Sequence, residues 1–307
     1  FGLIVNTINC FFLSLYLLIF KDIKIVHCRS YMPMFSVFWL KRIFDFRLIF
    51  DMRGFWPEEL AGSGRIKYNS IYYKILKFLE RKSILASDYI ITLTPEAKEI
   101  ILEKYPNKKV DWMPTCVDMK KFEIKQGQKE DKTDEFILVY SGSLGTYYNM
   151  PAMMDFFEAL KEKISNAHFL ILANNGMEKL DKEQCQFLNL EAKEVPKYLS
   201  QADLAISFIY DFPSKKAAFP TKLAEYLASG LPVVANAQSK FIKDLIEQNK
   251  IGVIIEKFDK CSYDVAIEKL LILLQDKDIK ERCIQTAKKN LGKGVCVNKY
   301  LEIYKNI

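Results

Sequence analysis

Only two histidines, His27 and His168, occur in the 307 residues, so neither a histidine-rich metal site nor a serine-histidine-aspartate triad has much material to draw on. The seven cysteines are scattered, odd in number and never at the short spacings of a zinc site or a redox pair. Reduced thiols in a cytosolic protein are expected. No run of lysine and arginine is interleaved with stacking aromatics as in nucleic-acid-binding segments, which argues against an RNA or DNA partner. Internal repeats and low-complexity tracts are also missing, which excludes solenoids and arrays. A signal peptide is not expected, because the chain has no initiator Met, no basic leading region and no small-residue cleavage site.

One long stretch, residues 1–20, carries no charge and is long enough to be mistaken for a membrane span. Asn6, Thr7 and Asn9 interrupt it, and only Lys21 and Asp22 separate it from an apparent strand. A buried helix of an α/β domain is expected instead, with the chain starting inside that domain.

What is present is the composition of a globular protein: half the residues are hydrophobic and 27% charged, enough chain for two domains. The net charge is +7, and residues 1–118 hold 17 basic against 12 acidic side chains, an excess of 5. A solvated surface accounts for that excess as well as attraction to an anionic membrane face does. Short apolar runs alternate with longer helical patterns, the arrangement that builds parallel sheets from βαβ units. Strands are expected at residues 23–26, 48–50, 89–93, 110–113, 136–140, 168–173, 204–208, 232–235 and 252–255. Helices are expected at 35–43, 71–86, 95–104, 151–164, 196–201, 221–229, 242–248 and 263–275, with a final helical segment from Asp278. The charged stretch 119–135 reads as a linker. It divides a first domain (1–118) from a second (136–290), leaving a C-terminal helix (291–307) expected to pack back toward the first.

Two segments carry chemistry. Val139-Tyr-Ser-Gly-Ser-Leu-Gly-Thr146 reads as a strand running into a glycine turn and a helix. There, free backbone amides favour a diphosphate and Gly142 and Gly145 allow close approach; an ordinary tight βα connection would look the same. Phe219-Pro-Thr-Lys-Leu-Ala-Glu-Tyr-Leu-Ala-Ser-Gly-Leu-Pro-Val-Val234 reads as a short helix stopped by Gly230 before a buried strand. Its apolar stripe is Leu223, Tyr226 and Leu227, and Glu225 lies about 200° around the helix from Leu223. That carboxylate suits two ribose hydroxyls; for both Glu225 and Lys222 a solvated helix face is the competing reading.

Together with Val195-Pro-Lys-Tyr-Leu199, Asp51-Met-Arg-Gly-Phe-Trp-Pro-Glu58 and Pro114-Thr-Cys-Val-Asp118, these segments resemble GT-B glycosyltransferases of the family 4 type, glycosyltransferase group 1. The resemblance implies an α/β fold of two Rossmann-like domains facing across a cleft, the first incomplete at its N-terminus by on the order of 60 residues. It implies a nucleotide-diphosphate sugar held by the second domain, a glycan or glycolipid acceptor on the first, and no metal or other cofactor. Glu225 matches the glutamate that binds the ribose, and Gly142, Ser143, Leu144 and Gly145 match the loop beside the diphosphate. Val195 and Thr221 join the donor site through the segments that carry the resemblance.

Two substitutions depart from the family pattern. Ala217 stands where a second glutamate usually touches the donor sugar, and Ser143 stands where an arginine is usual. The diphosphate then needs other cations. Lys222, three residues from Glu225, comes first, followed by Lys215 and Lys216, with Arg29 and Arg53 from the first domain. The implied activity is transfer of a sugar, with retention at the anomeric carbon and no protein nucleophile, to a lipid-linked or surface saccharide by an enzyme that is cytoplasmic, either free or peripheral at the cytoplasmic face of the membrane. The alternatives are a catalytically inactive nucleotide-sugar-binding relative or partner subunit, and a nucleotide-sugar epimerase, for which no acid and base pair is evident.

Overall fold

A computed structural model describes residues 2–122, 134–145, 147–173, 184–237 and 239–307, with side chains from Val5 onward. The chain forms two compact units. The first comprises Phe1–Pro114, Phe212–Phe219 and Tyr300–Ile307, and the second Thr115–Asp211 and Pro220–Lys299.

In unit 1 the chain runs α1 (Gly2–Phe20), β1 (Ile25–Arg29), α2 (Tyr31–Val37), β2 (Arg47–Asp51), α3 (Trp56–Gly62), α4 (Ile71–Ala86), β3 (Tyr89–Thr92), α5 (Pro95–Lys104) and β4 (Val110–Trp112). The four strands pair in parallel in their sequence order. Leu48, Phe50 and Ile90 from the sheet meet Tyr31, Met34 and Phe38 in one core. Helix starts follow local chemistry: Ser70 Oγ accepts from the Tyr73 amide at 3.2 Å and Thr94 Oγ1 from the Ala97 amide at 3.2 Å, with Pro95 at the first helical position.

Unit 2 runs β5 (Phe136–Ser141), α6 (Met150–Lys163), β6 (Ala167–Leu172), β7 (Cys185–Leu188), α7 (Val195–Gln201), β8 (Leu204–Ser207), α8 (Thr221–Ala228), β9 (Val233–Ala235), α9 (Lys240–Gln248), β10 (Gly252–Ile254), α10 (Lys260–Leu274) and α11 (Ile279–Asn290), and ends in α12 (Lys293–Lys305), whose residues from Tyr300 on belong to unit 1. Its strands lie in the order β10-β9-β8-β5-β6-β7, all parallel. The order reverses direction between β5 and β8, the switch point where open α/β sheets gather ligands outside their strand ends. Phe156, Phe157, Phe169, Phe208 and Tyr263 fill the core on one side of this sheet.

Several details differ from the sequence-based expectation. The N-terminal helix forms, but it is not buried. It packs through Phe11, Leu15 and Leu18, while Val5, Ile8, Phe12, Tyr16 and Ile19 stay exposed. A helix apolar on all sides needs partners all round to be buried, and contact with α2 covers only one side. Among the described residues, no helix is long and apolar enough to cross a membrane. The helix expected at 35–43 begins earlier, at Tyr31, because Pro33 falls in its first turn, where a missing N–H costs nothing. Two elements were not foreseen. Helix α3 starts at Trp56 with Pro57 in its first turn, and β7 is an edge strand of four residues preceded by Gln184 at φ 65.

The boundaries differ as well. Residues 115–122, assigned by sequence to the first domain and the linker, belong to unit 2, and the rest of the linker through residue 133 lies outside the described residues. Val117 accounts for this: its amide donates to the Leu291 carbonyl at 2.8 Å, and its own carbonyl accepts from the Lys293 amide at 2.9 Å. The same contact brings Cys116 to Cys296, and the two form a disulfide across 180 residues with Cα atoms 6.5 Å apart. The expectation of seven free thiols is therefore corrected to five, since spacing in sequence does not reveal a pair made by the meeting of distant segments. Segment Phe212–Phe219, expected in the second domain, belongs to unit 1.

Alkylation of the denatured, unreduced protein followed by intact-mass measurement is expected to label five cysteines. Removing so long a cross-link by Cys296→Ser is expected to cost about 2–5 kcal/mol of stability in oxidising buffer and nothing further in reducing buffer. Labelling of all seven would refute the pairing.

Candidate functional site

The site grows from the carboxyl end of β5. Tyr140 and Tyr226, both fully buried, fix the loop that follows. The Tyr226 hydroxyl accepts from the Ser141 amide at 2.8 Å, and the Tyr140 hydroxyl donates to the Ser143 carbonyl at 2.7 Å. Gly142 sits at φ 134, a conformation open to glycine and strained for other residues. A Cβ there would also overlap the Lys222 side chain. The backbone favours glycine at this position, and any side chain there would have to push the end of the lysine aside.

Lys222 enters from the first turn of α8 and is 7% exposed. Its Nζ lies 2.7 Å from the Tyr140 hydroxyl, 4.4 Å from that ring's centre and 3.1 Å from the centre of Tyr148. Burial pushes its ammonium down to about 6, against the opposing pull of the Glu225 charge. The aromatic faces attract a cation, and among the described residues no carboxylate lies in salt-bridge contact with it. The competing reading of Lys222 as a solvated lysine does not hold, because the short α8 turns it inward beside Leu223 and Tyr226.

Glu225, one turn on, is half-buried. Burial raises its carboxyl pKa, while Lys222 and then Lys121 lower it. Among the described residues, none hydrogen-bonds its carboxylate. It stands where two cavities meet. One, of about 360 Å³, is walled by Ser141, Gly142, Ser143, Leu172, Val195 and Glu225; the other, of about 810 Å³, reaches past Glu225 to Lys121, Lys193 and Lys293. Both volumes fall in the range of about 300–1,000 Å³ usual for small-molecule sites. Partnerless acceptor oxygens at the mouth of a cavity suit a ligand that brings hydroxyl donors.

The structure thus brings together Gly142, Ser143, Val195, Lys222 and Glu225. Leu144 packs against the core beneath the loop, the Gly145 carbonyl accepts from the Tyr148 amide at 3.2 Å, and Thr221 is the exposed first residue of α8. The other expected residues lie in unit 1. Lys215 is 8% exposed, and burial lowers its pKa while Glu59 raises it. The Lys216 carbonyl accepts from Thr94 Oγ1 at 2.6 Å, and Ala217 is fully buried in the same turn, Pro213–Ala217. Arg29 ends β1, and Arg53 follows β2 at φ 60. Beside them Asp51, 1% exposed, accepts from the Tyr300 hydroxyl at 3.0 Å, and the His27 ring shares a hydrogen bond of 2.6 Å with the Tyr304 hydroxyl.

Sequence reasoning missed Tyr148, which it did not single out, Tyr226, which it placed only in an apolar stripe, and Lys121 and Phe122, which it assigned to the linker. The sole signal for Tyr148 was its position in the turn after Gly145. Among the described residues, no group of three His, Cys, Asp or Glu side chains could hold a metal ion.

Two parallel α/β units, with a ligand cavity at the switch point of the second, define the GT-B class of glycosyltransferase. The chain belongs to the glycosyl transferases group 1 family, whose model matches residues 121–290; a second model, Glycosyltransferase Family 4, matches residues 6–121. Solved structures agree in fold. Sucrose-phosphate synthase from Thermosynechococcus elongatus has a TM-score of 0.72 at 14% identity, with 96% of this chain and 76% of that one covered. Anabaena HepE, solved with UDP and glucose, has a TM-score of 0.68 at 10% identity, covering 92% and 78%. WaaG, a glycosyltransferase involved in lipopolysaccharide biosynthesis, has a TM-score of 0.60 at 17% identity, covering 82% and 75%. No curated protein matches in sequence.

The buried lysine has a measurable signature. In the unfolded chain it keeps its proton to near 10.5, whereas in the folded protein it loses it above about 6. Unfolding therefore takes up a proton between these values, and stability rises with pH across that window. Replacing Lys222 by Met is expected to flatten this slope and to raise stability at neutral pH by about 1–4 kcal/mol, read as an upward shift of the thermal midpoint. An unchanged slope would place the ammonium in water.

Proposed function

We propose that the protein moves a sugar, with retention at the anomeric carbon, from a nucleotide-diphosphate donor held in unit 2 to a lipid-linked or surface saccharide. The observation that carries this reading is the pairing of an unengaged carboxylate with a buried amine across a glycine loop. Glu225 accepts from the two ribose hydroxyls, and the 142–145 loop and the start of α8 at Thr221 offer their amides to the diphosphate. Val195 closes the wall against the nucleotide. Lys222 is then the cation nearest the leaving phosphates, and the arriving anion draws the proton back onto it, so charge stabilisation is applied where negative charge develops.

The bond between the anomeric carbon and the donor phosphate oxygen breaks, and a bond to the acceptor oxygen forms on the same face. The acceptor proton passes to the departing phosphate, so no protein nucleophile is needed and orientation carries much of the rate. Charge compensation at the diphosphate is assigned to Lys222. Arg29 and Arg53, at the strand ends of unit 1, are assigned to the acceptor. Support for the donor class comes from HepE, solved with UDP and glucose, and for the acceptor class from WaaG. The proposed setting is the cytoplasmic face of a membrane.

Calorimetric titration with UDP and with GDP, alone and as their sugars, tests the reading. One nucleotide is expected to bind, and Glu225→Ala is expected to weaken it by about 10- to 100-fold, the value of hydrogen bonds to a charged group. Affinity and transfer both unchanged in that variant would overturn the assignment.

A further inference from the structure

The outward face of α4 is at odds with a free surface in water. At about 100° per residue, Ile71, Ile75, Phe78 and Leu85 fall within one arc of roughly 80°, and they are 80%, 48%, 53% and 47% exposed. Lys74, Arg81 and Lys82 share this arc and its margins. Lys74 and Arg81 are exposed, and the Lys82 ammonium stands 5.4 Å from the centre of the Phe78 ring. The turn leading into the helix adds exposed Lys67 and Tyr68. The one acidic residue of α4, Glu80, is 6% exposed on the opposite face, where it accepts from the Tyr31 hydroxyl at 2.8 Å and pairs with Lys77. Helix α4 therefore presents an apolar and wholly cationic surface.

We infer that this face of α4 lies in the headgroup layer of an anionic membrane, with Ile71, Ile75, Phe78 and Leu85 inserted and Lys74, Arg81 and Lys82 among the lipid phosphates. The pattern is that of an interfacial helix: low net hydrophobicity, one apolar face and basic residues beside it. Charge decides between this occupant and a protein. The centre of a protein interface is depleted of lysine, whereas at a membrane long basic side chains bury their stems and hold their charges at the headgroups. A helix of this length spans about 24 Å, enough to lie along the surface. The inference rests for its purpose on the proposed lipid-linked acceptor, which unit 1 would thereby meet at its source, but not for its geometry.

Vesicle flotation of the full chain tests it, with phosphatidylcholine alone and with phosphatidylglycerol added. The protein is expected to float only with the anionic vesicles and to be released by salt. Lys74→Gln, Arg81→Gln and Lys82→Gln together are expected to lower its partition coefficient on the order of 100-fold, at about fivefold per basic residue. Ile75→Ser with Phe78→Ser should lower it as well, and a thermal midpoint near that of the unaltered chain shows that these exposed changes leave the fold intact. No flotation of the unaltered protein, flotation undiminished in both variants, or self-association through this face abolished by the serine pair would each overturn the inference. Titration of the same variants with UDP and with GDP separates the two proposals: intact α4-dependent flotation with neither nucleotide bound sinks the donor reading alone, and nucleotide binding without flotation sinks this one.

Discussion

The chemistry of unit 2 depends on one constraint: an amine is kept out of water at the end of the central strand. Lys222 crosses Gly142 and ends between the faces of Tyr140 and Tyr148. Burying an ammonium is costly unless it is compensated, and here rings and a hydroxyl compensate it only in part, which is why its pKa falls. The neighbouring residues follow from that placement. Position 142 favours glycine, position 140 carries a ring and a hydroxyl against the amine, and the charge at position 225 opposes the fall in its pKa from within the same helix. The strain is concentrated where an anion would relieve it, the usual arrangement of a preorganised site.

The second unit was the more legible in the sequence. Each of its strands except β7 carries a run of β-branched or large apolar residues bounded by polar turns, and α8 ends at Gly230 as its pattern required. Glu225 was readable because the helical period separates it from Leu223 and Tyr226. Lys222 was not, since the same period permits either a solvated or a buried lysine, and only the position of Tyr140 and Tyr148 decides between them. Likewise, the close approach of residues 115–122 to unit 2 arises from backbone pairing at Val117, which no side-chain pattern encodes.

Unit 1 shows the opposite balance. Its strands follow apolar runs, but its surfaces do not follow a simple inside-outside rule, because α1 and α4 each expose a row of large apolar side chains. In α1 the uncovered row lacks charge; in α4 it is laced with lysine and arginine. Periodicity did not mark α1 as half-packed, since it is apolar on all sides and was expected to be buried. The difference between the two helices lies in what fills the remaining positions.

The cross-link between Cys116 and Cys296 encloses nearly all of unit 2, together with the segment Phe212–Phe219 of unit 1, in a covalent ring whose two ends leave side by side. A tension applied to the chain termini would pass across the sulfur bridge and leave the enclosed sheet unloaded. A single backbone cleavage anywhere within the ring would leave both fragments tethered in place. In its oxidised form the unit therefore behaves toward mechanical and proteolytic insult as a circular protein with two short leads, and reduction of one bond restores an ordinary linear chain.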